Sequence, residues 1–153
     1  MTEKIKVTID RARWRTGKKS INATGKGDTE LLNSEDYMCC LGFCCQAAGV
    51  SAELILGNAT PSDLCKEFKE SHQKISSLVK KHQDSPFDLI VNSDLARQAM
   101  WINDHADSTP ALKEQKILEL FKDSEFEIEF TGEYPIIANP DNDTGKENNT
   151  CAL

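Results

Sequence analysis

Long apolar runs are missing. None of the 153 residues belongs to a stretch of about 18 apolar residues, so no segment reads as a membrane-spanning helix. The opening MTEKIKVTID lacks the apolar core of a secretory signal, and a cytoplasmic protein with reduced thiols is therefore expected. Internal repeats are also missing. The segments TGKKS (16–20) and TGKGDT (24–29) look glycine-rich and basic. Neither has the Gly-x-x-x-x-Gly-Lys-Ser/Thr spacing that cradles phosphates, and no cofactor is expected. Histidine is scarce, with three in the chain. His72 and His82 have no acid–base partners nearby in sequence and read as structural. A broad basic surface is lacking too. The net charge is −7, and residues 27–153 hold ten basic against 23 acidic residues. That balance argues against nucleic acid as a partner, since binding phosphate backbones needs an extended cationic face. The basic excess is confined to residues 1–26, with eight Lys or Arg and two acids, enough to serve a small anion.

What is present in quantity is cysteine. Four of six lie in Asn33–Val50, NSEDYMCCLGFCCQAAGV. Ser34 is a suitable N-cap, Glu35 and Asp36 favour a helix N-terminus, and Gly49 suits a helix end. The spacing predicts a helix over 34–48, buried on almost every side. Two strands are expected from alternation: residues 4–9, with Ile5, Val7 and Ile9 on one face, and residues 125–131, with Phe126, Ile128 and Phe130 on one face. Their other faces carry Lys4 and Lys6 against Glu125, Glu127 and Glu129. The two strands should therefore be neighbours in a register that sets lysine beside glutamate. Thr60-Pro61-Ser62-Asp63 and Ser108-Thr109-Pro110 start helices, expected over 61–81 and 110–122, the second burying Leu112, Ile117, Leu120 and Phe121. Residues 95–102, LARQAMWI, read as a short strand. The fold class is α+β: a small sheet including strands 4–9 and 125–131, with three or more packed helices. A single domain over 1–138 is expected, followed by a disordered polar tail over 139–153.

Three groups of residues carry candidate chemistry. Cys39, Cys40, Cys44 and Cys45 share one helix and point around most of its circumference, so they cannot converge on one tetrahedral zinc, and no metal is expected. They read as small hydrophobes in a tight core. The alternative is a nucleophile activated at a helix N-terminus. Cys40-Leu41-Gly42-Phe43 resembles the Cys-x-Gly-Phe helix start of papain-like cell-wall endopeptidases, and that resemblance implies a thiol hydrolase using Cys39 or Cys40 with His105. The second group is Arg13, Trp14 and Arg15 with Lys18, Lys19 and Lys26. Arginine beside an aromatic ring can hold a phosphate and stack a base; the other reading is a tryptophan that anchors the strand end in the core. The third is Asn103-Asp104, able to hydrogen-bond a ribose or base, or else ordinary loop chemistry before a helix.

The Cys39-Cys40-Leu41-Gly42-Phe43-Cys44-Cys45 helix, with Asn103-Asp104 and the helix after it, resembles a group of uncharacterised small phage-encoded proteins. The resemblance spans about residues 30–120 and implies an accessory product acting in the cytoplasm of an infected bacterial host. By analogy with other accessory factors, the expected function is counter-defence. The protein would bind and sequester a small anionic, nucleotide-like immune signal without chemistry, using Arg13, Trp14, Arg15, Lys18, Lys26, Asn103 and Asp104. Alternatives are the thiol hydrolase and an acidic protein–protein inhibitor. Oligomeric state stays open, a homo-oligomer included.

Overall fold

The computed structural model describes residues 3–17, 23–67, 73–84, 89–105 and 108–134. The expected tail over 139–153, Lys18, Lys19 and His72 lie outside these. In chain order the elements are β1 (Ile5–Asp10), a 3-10 turn (Arg11–Arg13), α1 (Cys40–Ala47), α2 (Ala52–Ile55) and α3 (Pro61–Glu67). Then come β2 (Val79–Lys81), β3 (Ile90–Asn92), α4 (Asp94–Asp104), α5 (Pro110–Phe121) and β4 (Phe126–Thr131). The fold is α+β.

β1 and β4 pair in parallel, with Ile5 opposite Phe126, Lys6 opposite Glu127 and Val7 opposite Ile128. Val7, Ile9 and Phe126 go into the core. Lys6 thus sits beside Glu127 on the exposed face, a cross-strand pair worth roughly 0.2–1 kcal/mol. Lys4 does not join it: its ammonium donates to the carbonyl of Lys122 at 2.7 Å. The other ladder, antiparallel β2–β3, forms a separate two-stranded sheet. At the end of β1, Arg11 grips Glu114 of α5 with two hydrogen bonds of 2.6 and 2.9 Å. The guanidinium lies over the rings of Phe130 and Tyr134, and the Tyr134 hydroxyl donates to Glu114. This clamp ties β1, α5 and the chain after β4 together.

The cysteine helix is shorter than the sequence suggests. It starts at Cys40, with Cys39 as N-cap, and not at Ser34. The reason is Asn33. Its side-chain oxygen accepts the backbone N–H groups of Glu35 and Tyr37 at 2.9 and 3.0 Å, and Asp36 takes a φ of +70°. Residues 33–37 therefore form a turn. Met38 then runs extended beside Trp14, its N–H donating to Arg13 and its carbonyl accepting from Arg15. The helix ends as expected: Gly49 has φ +102°, and the N–H groups of Gly49 and Val50 return to the carbonyls of Gln46 and Cys45, a Schellman closure. Every side chain from Cys40 to Cys45 is buried. Gly42 is there because the Leu31 backbone crosses the helix so closely that a Cβ would fall 1.8 Å from the Leu31 carbonyl oxygen.

Two further expectations are corrected. The 61–81 helix does not persist, since Val79–Lys81 is the strand β2. Its start is as expected, with the Thr60 N–H and hydroxyl both donating to Asp63 at 3.1 Å. Residues 95–102 are helical, not extended. The Ser93 hydroxyl accepts the Ala96 N–H at 3.2 Å and caps α4, and Ala96, Ala99 and Asn103 are buried at helical spacing. In α5, Thr109 is the N-cap and Ile117 and Phe121 are buried, but Lys113 takes an inward position while Leu112 is exposed. Among the described residues no helix is long and apolar enough to cross a membrane.

Candidate functional site

The Cys-rich helix and the Asn-Asp element meet at one side chain. Asn103, on the inner face of α4, is 1% exposed. Its oxygen accepts the Trp14 indole N–H at 2.8 Å and the Cys40 backbone N–H at 3.1 Å. Its amide donates to the Arg15 carbonyl at 2.9 Å and to Asp104 at 3.1 Å. Both lone pairs and both N–H groups are used, the full capacity of an asparagine. The Cys40 contact matters most for the fold. Cys39 offers no side-chain cap, so an N–H of the first turn of α1 is satisfied from another helix. The Asn103 carbonyl in turn accepts from Gly17 at 2.9 Å and from the Lys113 ammonium at 3.0 Å.

This hub is too closed for catalysis or for a nucleotide. The cavity beside Cys39, Cys40, Asn103 and Asp104 has a volume of about 20 Å³, room for about one water. Burial pushes the Cys39 thiol up to about 12 and raises Cys40, Cys44 and Cys45 as well. Reactive cysteines have lowered values, because the thiolate is the nucleophile. His105 closes α4 and stacks on the Trp101 ring at 4.4 Å; no hydrogen bond joins it to either thiol. The Cys39 or Cys40 with His105 pair of a thiol hydrolase is not assembled. Lys113 is fully buried, and burial lowers its pKa to about 8 against the opposing pull of Asp104. Among the described residues no three His, Cys, Asp or Glu side chains are grouped to hold a metal.

The residues singled out from sequence are thus distributed as follows. Trp14, Arg15 and Asn103 come together inside, with Asp104 half-buried beside them. Trp14 is 0% exposed and packs on Phe130 with ring centres 5.0 Å apart, so it cannot stack a base. Arg15 is buried and donates to the carbonyls of Gly27, Thr16 and Thr24 at 2.7–3.3 Å. Arg13 turns away to an ion pair with Asp36 at 2.8 Å. Lys26 lies in a turn held by Asn33, whose amide donates to the Lys26 carbonyl at 2.7 Å. The tryptophan anchors the strand end, the second of the two readings given for it.

An open groove lies on the opposite face of α4. One part, about 500 Å³, is lined by Asp94, Arg97, Gln98, Trp101 and Ile102 of α4 and Lys116 of α5. The adjoining part, also about 500 Å³, shares Arg97 and is lined by Lys80 and Lys81 of β2, His82, and Val91 and Asn92 of β3. Trp101 is 60% exposed. Arg97 and Trp101 are four residues apart and lie one above the other on the helix surface. Asp94 pairs with Lys80 at 3.5 Å and also with Arg97, and these cations hold its carboxyl below the usual range. The two parts together carry four Lys or Arg against two Asp, a local excess of positive charge on a chain of net charge −7.

None of these groove residues stood out in the sequence. Lys80, Lys81 and His82 read as the last turn of a long helix, and Trp101 as one apolar position of a strand. The signal that could have found them is Ser93-Asp94 as a helix start, which puts Arg97 and Trp101 on the face opposite Ala96, Ala99 and Asn103. No family model, curated protein or solved structure matches the chain, so the reading of the groove stands on its geometry.

Proposed function

We propose that the protein is a non-catalytic binder of a small anionic, nucleotide-like ligand, held in the groove along the outer face of α4. The observation that carries this is the exposed Trp101 beside Arg97 and Lys116, in a groove that continues to Lys80 and Lys81. An aromatic ring stacks a base for roughly 1–3 kcal/mol, largely regardless of which base it is. Arginine and lysine supply charge-assisted hydrogen bonds to phosphate. The buried, protonated thiols leave no nucleophile at the cysteine helix, which supports binding without turnover. The resemblance to phage accessory proteins supplies the setting: sequestration of a host immune signal in an infected bacterium.

The test is ligand capture. The protein is incubated with metabolite extract from infected and uninfected bacteria, washed and heat-denatured, and the supernatant is read by mass spectrometry. An intact anionic ligand is expected from the native sequence and none from a Trp101→Ser, Arg97→Ala double variant. Release of a cleaved product, or equal release from both proteins, overturns the reading. A second reading, a protein partner on the same face, is favoured by the exposure of Leu112 on α5, which lines the surface beside Lys116. It predicts a stoichiometric macromolecular complex and no released small molecule.

A further inference from the structure

β4 has two edges, and β1 occupies one of them. The Ile5 N–H donates to the Glu125 carbonyl at 2.7 Å, which fixes the phase of the parallel ladder. Residues 125, 127, 129 and 131 turn their backbone groups toward β1, and residues 126, 128 and 130 turn theirs to the other edge. Phe126 is provided for there: the Ser124 hydroxyl lies 3.1 Å from its nitrogen and 3.4 Å from its carbonyl oxygen. Ile128 and Phe130 are not. Among the described residues no strand lies beyond β4, and the outward N–H and carbonyl groups of these two have no partner. The packing is unfinished at the same place. Val7 and Ile9 of β1 are 1% and 0% exposed, whereas their ladder partners Ile128 and Phe130 are only half-buried. On the solvent side Glu127 and Glu129 are exposed. Lys6 stands beside Glu127 across the ladder, but Glu129 faces Thr8.

We propose that the open edge of β4 docks an extended segment of a partner protein in which lysine or arginine alternates with apolar residues. This goes beyond the ligand groove and does not depend on it. The unpaired N–H and carbonyl groups of Ile128 and Phe130 offer main-chain hydrogen bonds to an added strand, the basis of β-augmentation. Side chains on one face of that strand extend the apolar layer over Ile128 and Phe130. Those on the other face stand beside Glu127 and Glu129, where a cation is favoured. β1 shows the pattern that this strand already accepts, with Val7 and Ile9 inward and Lys6 outward beside Glu127. A second copy of β4 is the wrong occupant, because pairing would crowd glutamates against one another, and like charges across a ladder repel. Charges commonly guard an edge against unwanted pairing. Here the guard has one sign and admits the opposite one.

Amide hydrogen exchange read by NMR on the full chain tests this, with a short synthetic peptide alternating lysine with valine as the probe. In the free protein the Ile128 and Phe130 amides should exchange at least about tenfold faster than those of Glu127 and Glu129, which bond to β1. Saturating peptide should slow the first pair about tenfold or more and leave the second unchanged. A peptide alternating glutamate with valine should bind about tenfold or more weakly. So should a lysine–valine peptide N-methylated on every residue, which keeps its charge and loses its main-chain donors. The Glu127→Lys, Glu129→Lys double variant, with an unchanged circular dichroism spectrum to establish that it folds, should cut the preference for the lysine peptide about tenfold. Absence of binding, equal binding of the lysine peptide and its N-methylated form, or binding that leaves the Ile128 and Phe130 amides unslowed overturns the inference. Slowing of those amides by raised protein concentration alone also overturns it, since a second copy is then the occupant. The Trp101→Ser, Arg97→Ala protein should bind the peptide as the native protein does, whatever its ligand capture. Loss of peptide binding there would move the site to the groove and overturn the edge.

Discussion

The two long faces of α4 are built for opposite purposes. The inner face presents Ala96, Ala99 and Asn103, small or fully bonded, and lets the cysteine helix and Trp14 close against it. The outer face presents Asp94, Arg97 and Trp101, large and solvent-facing, around an open groove. The Asn103 side chain inside is bonded to capacity; polar atoms outside are paired in ways a ligand can replace. The same helix therefore separates what holds the molecule together from what it can offer to a partner. It also explains why the Asn-Asp element belongs with the cysteine helix: the asparagine caps that helix across the core.

The comparison breaks most severely if Asn103 proves dispensable. Asn103→Ala leaves the Trp14 indole, the Cys40 N–H and the Arg15 carbonyl without their partner, and should cost about 3–5 kcal/mol in a urea titration. A loss below about 1 kcal/mol would show that the hub is ornamental.

Alkaline titration probes the same interior. The four clustered thiols have raised values in the fold, so above pH 9 the unfolded chain releases protons that the folded chain retains. Stability then falls as pH rises, by about 1.4 kcal/mol per unit for each thiol. Lys113 acts in the other direction. Its folded value of about 8 lies below the ordinary 10.5, so between those limits the unfolded chain holds more protons and stability gains with pH. Four thiols outweigh one lysine. Stability should stay near level to about pH 8.5 and drop by on the order of 3 kcal/mol at pH 10. Lys113→Met should deepen that alkaline loss; an unchanged profile would contradict the assignment.

At the Arg11 clamp the effect is smaller. Glu114→Gln removes a charge from a half-buried two-bond pair and should cost about 1–2 kcal/mol, with a lowered urea midpoint and an unchanged slope. The outer face of α4 is predicted to matter least for stability. Trp101→Ser should shift the midpoint by no more than about 0.5 kcal/mol while abolishing ligand capture. A large destabilisation would place Trp101 with Asn103 among the residues that hold the fold.

Legibility from sequence followed the range of the forces involved. β1 and β4 announce themselves by alternation, and the pairing of Lys6 with Glu127 follows from charge, whereas Lys4, expected to share it, lies before a strand that runs Ile5–Asp10. Thr109-Pro110 marks α5 through local cap chemistry. The start of α1 was not legible, because Asn33 and Ser34 compete for the same backbone N–H groups and only the surrounding chain lets Asn33 win. In α4, Met100, Trp101 and Ile102 are three consecutive large apolar residues that blur the helical period, and one of them faces solvent. Asn103 and Trp14 were visible as special residues, but their use for each other was not. The groove was beyond reach, since Lys80, Arg97 and Lys116 converge from three elements with no spacing in common.

The parallel pairing of β1 with β4 has a consequence for the newborn chain. Its register brings Ile5 to Phe126, and the clamp beside it joins Arg11 to Gly132, 121 positions away. No local hairpin can protect Ile5, Val7 and Ile9 in the meantime. At roughly 5–20 residues per second of synthesis, the first strand waits about 6–24 s for its mate. For that interval it is an unsatisfied edge with an apolar side, open to chaperones and to other nascent chains. During synthesis the ladder cannot close before residue 126 has been made, and a chain that stops short of it never closes it.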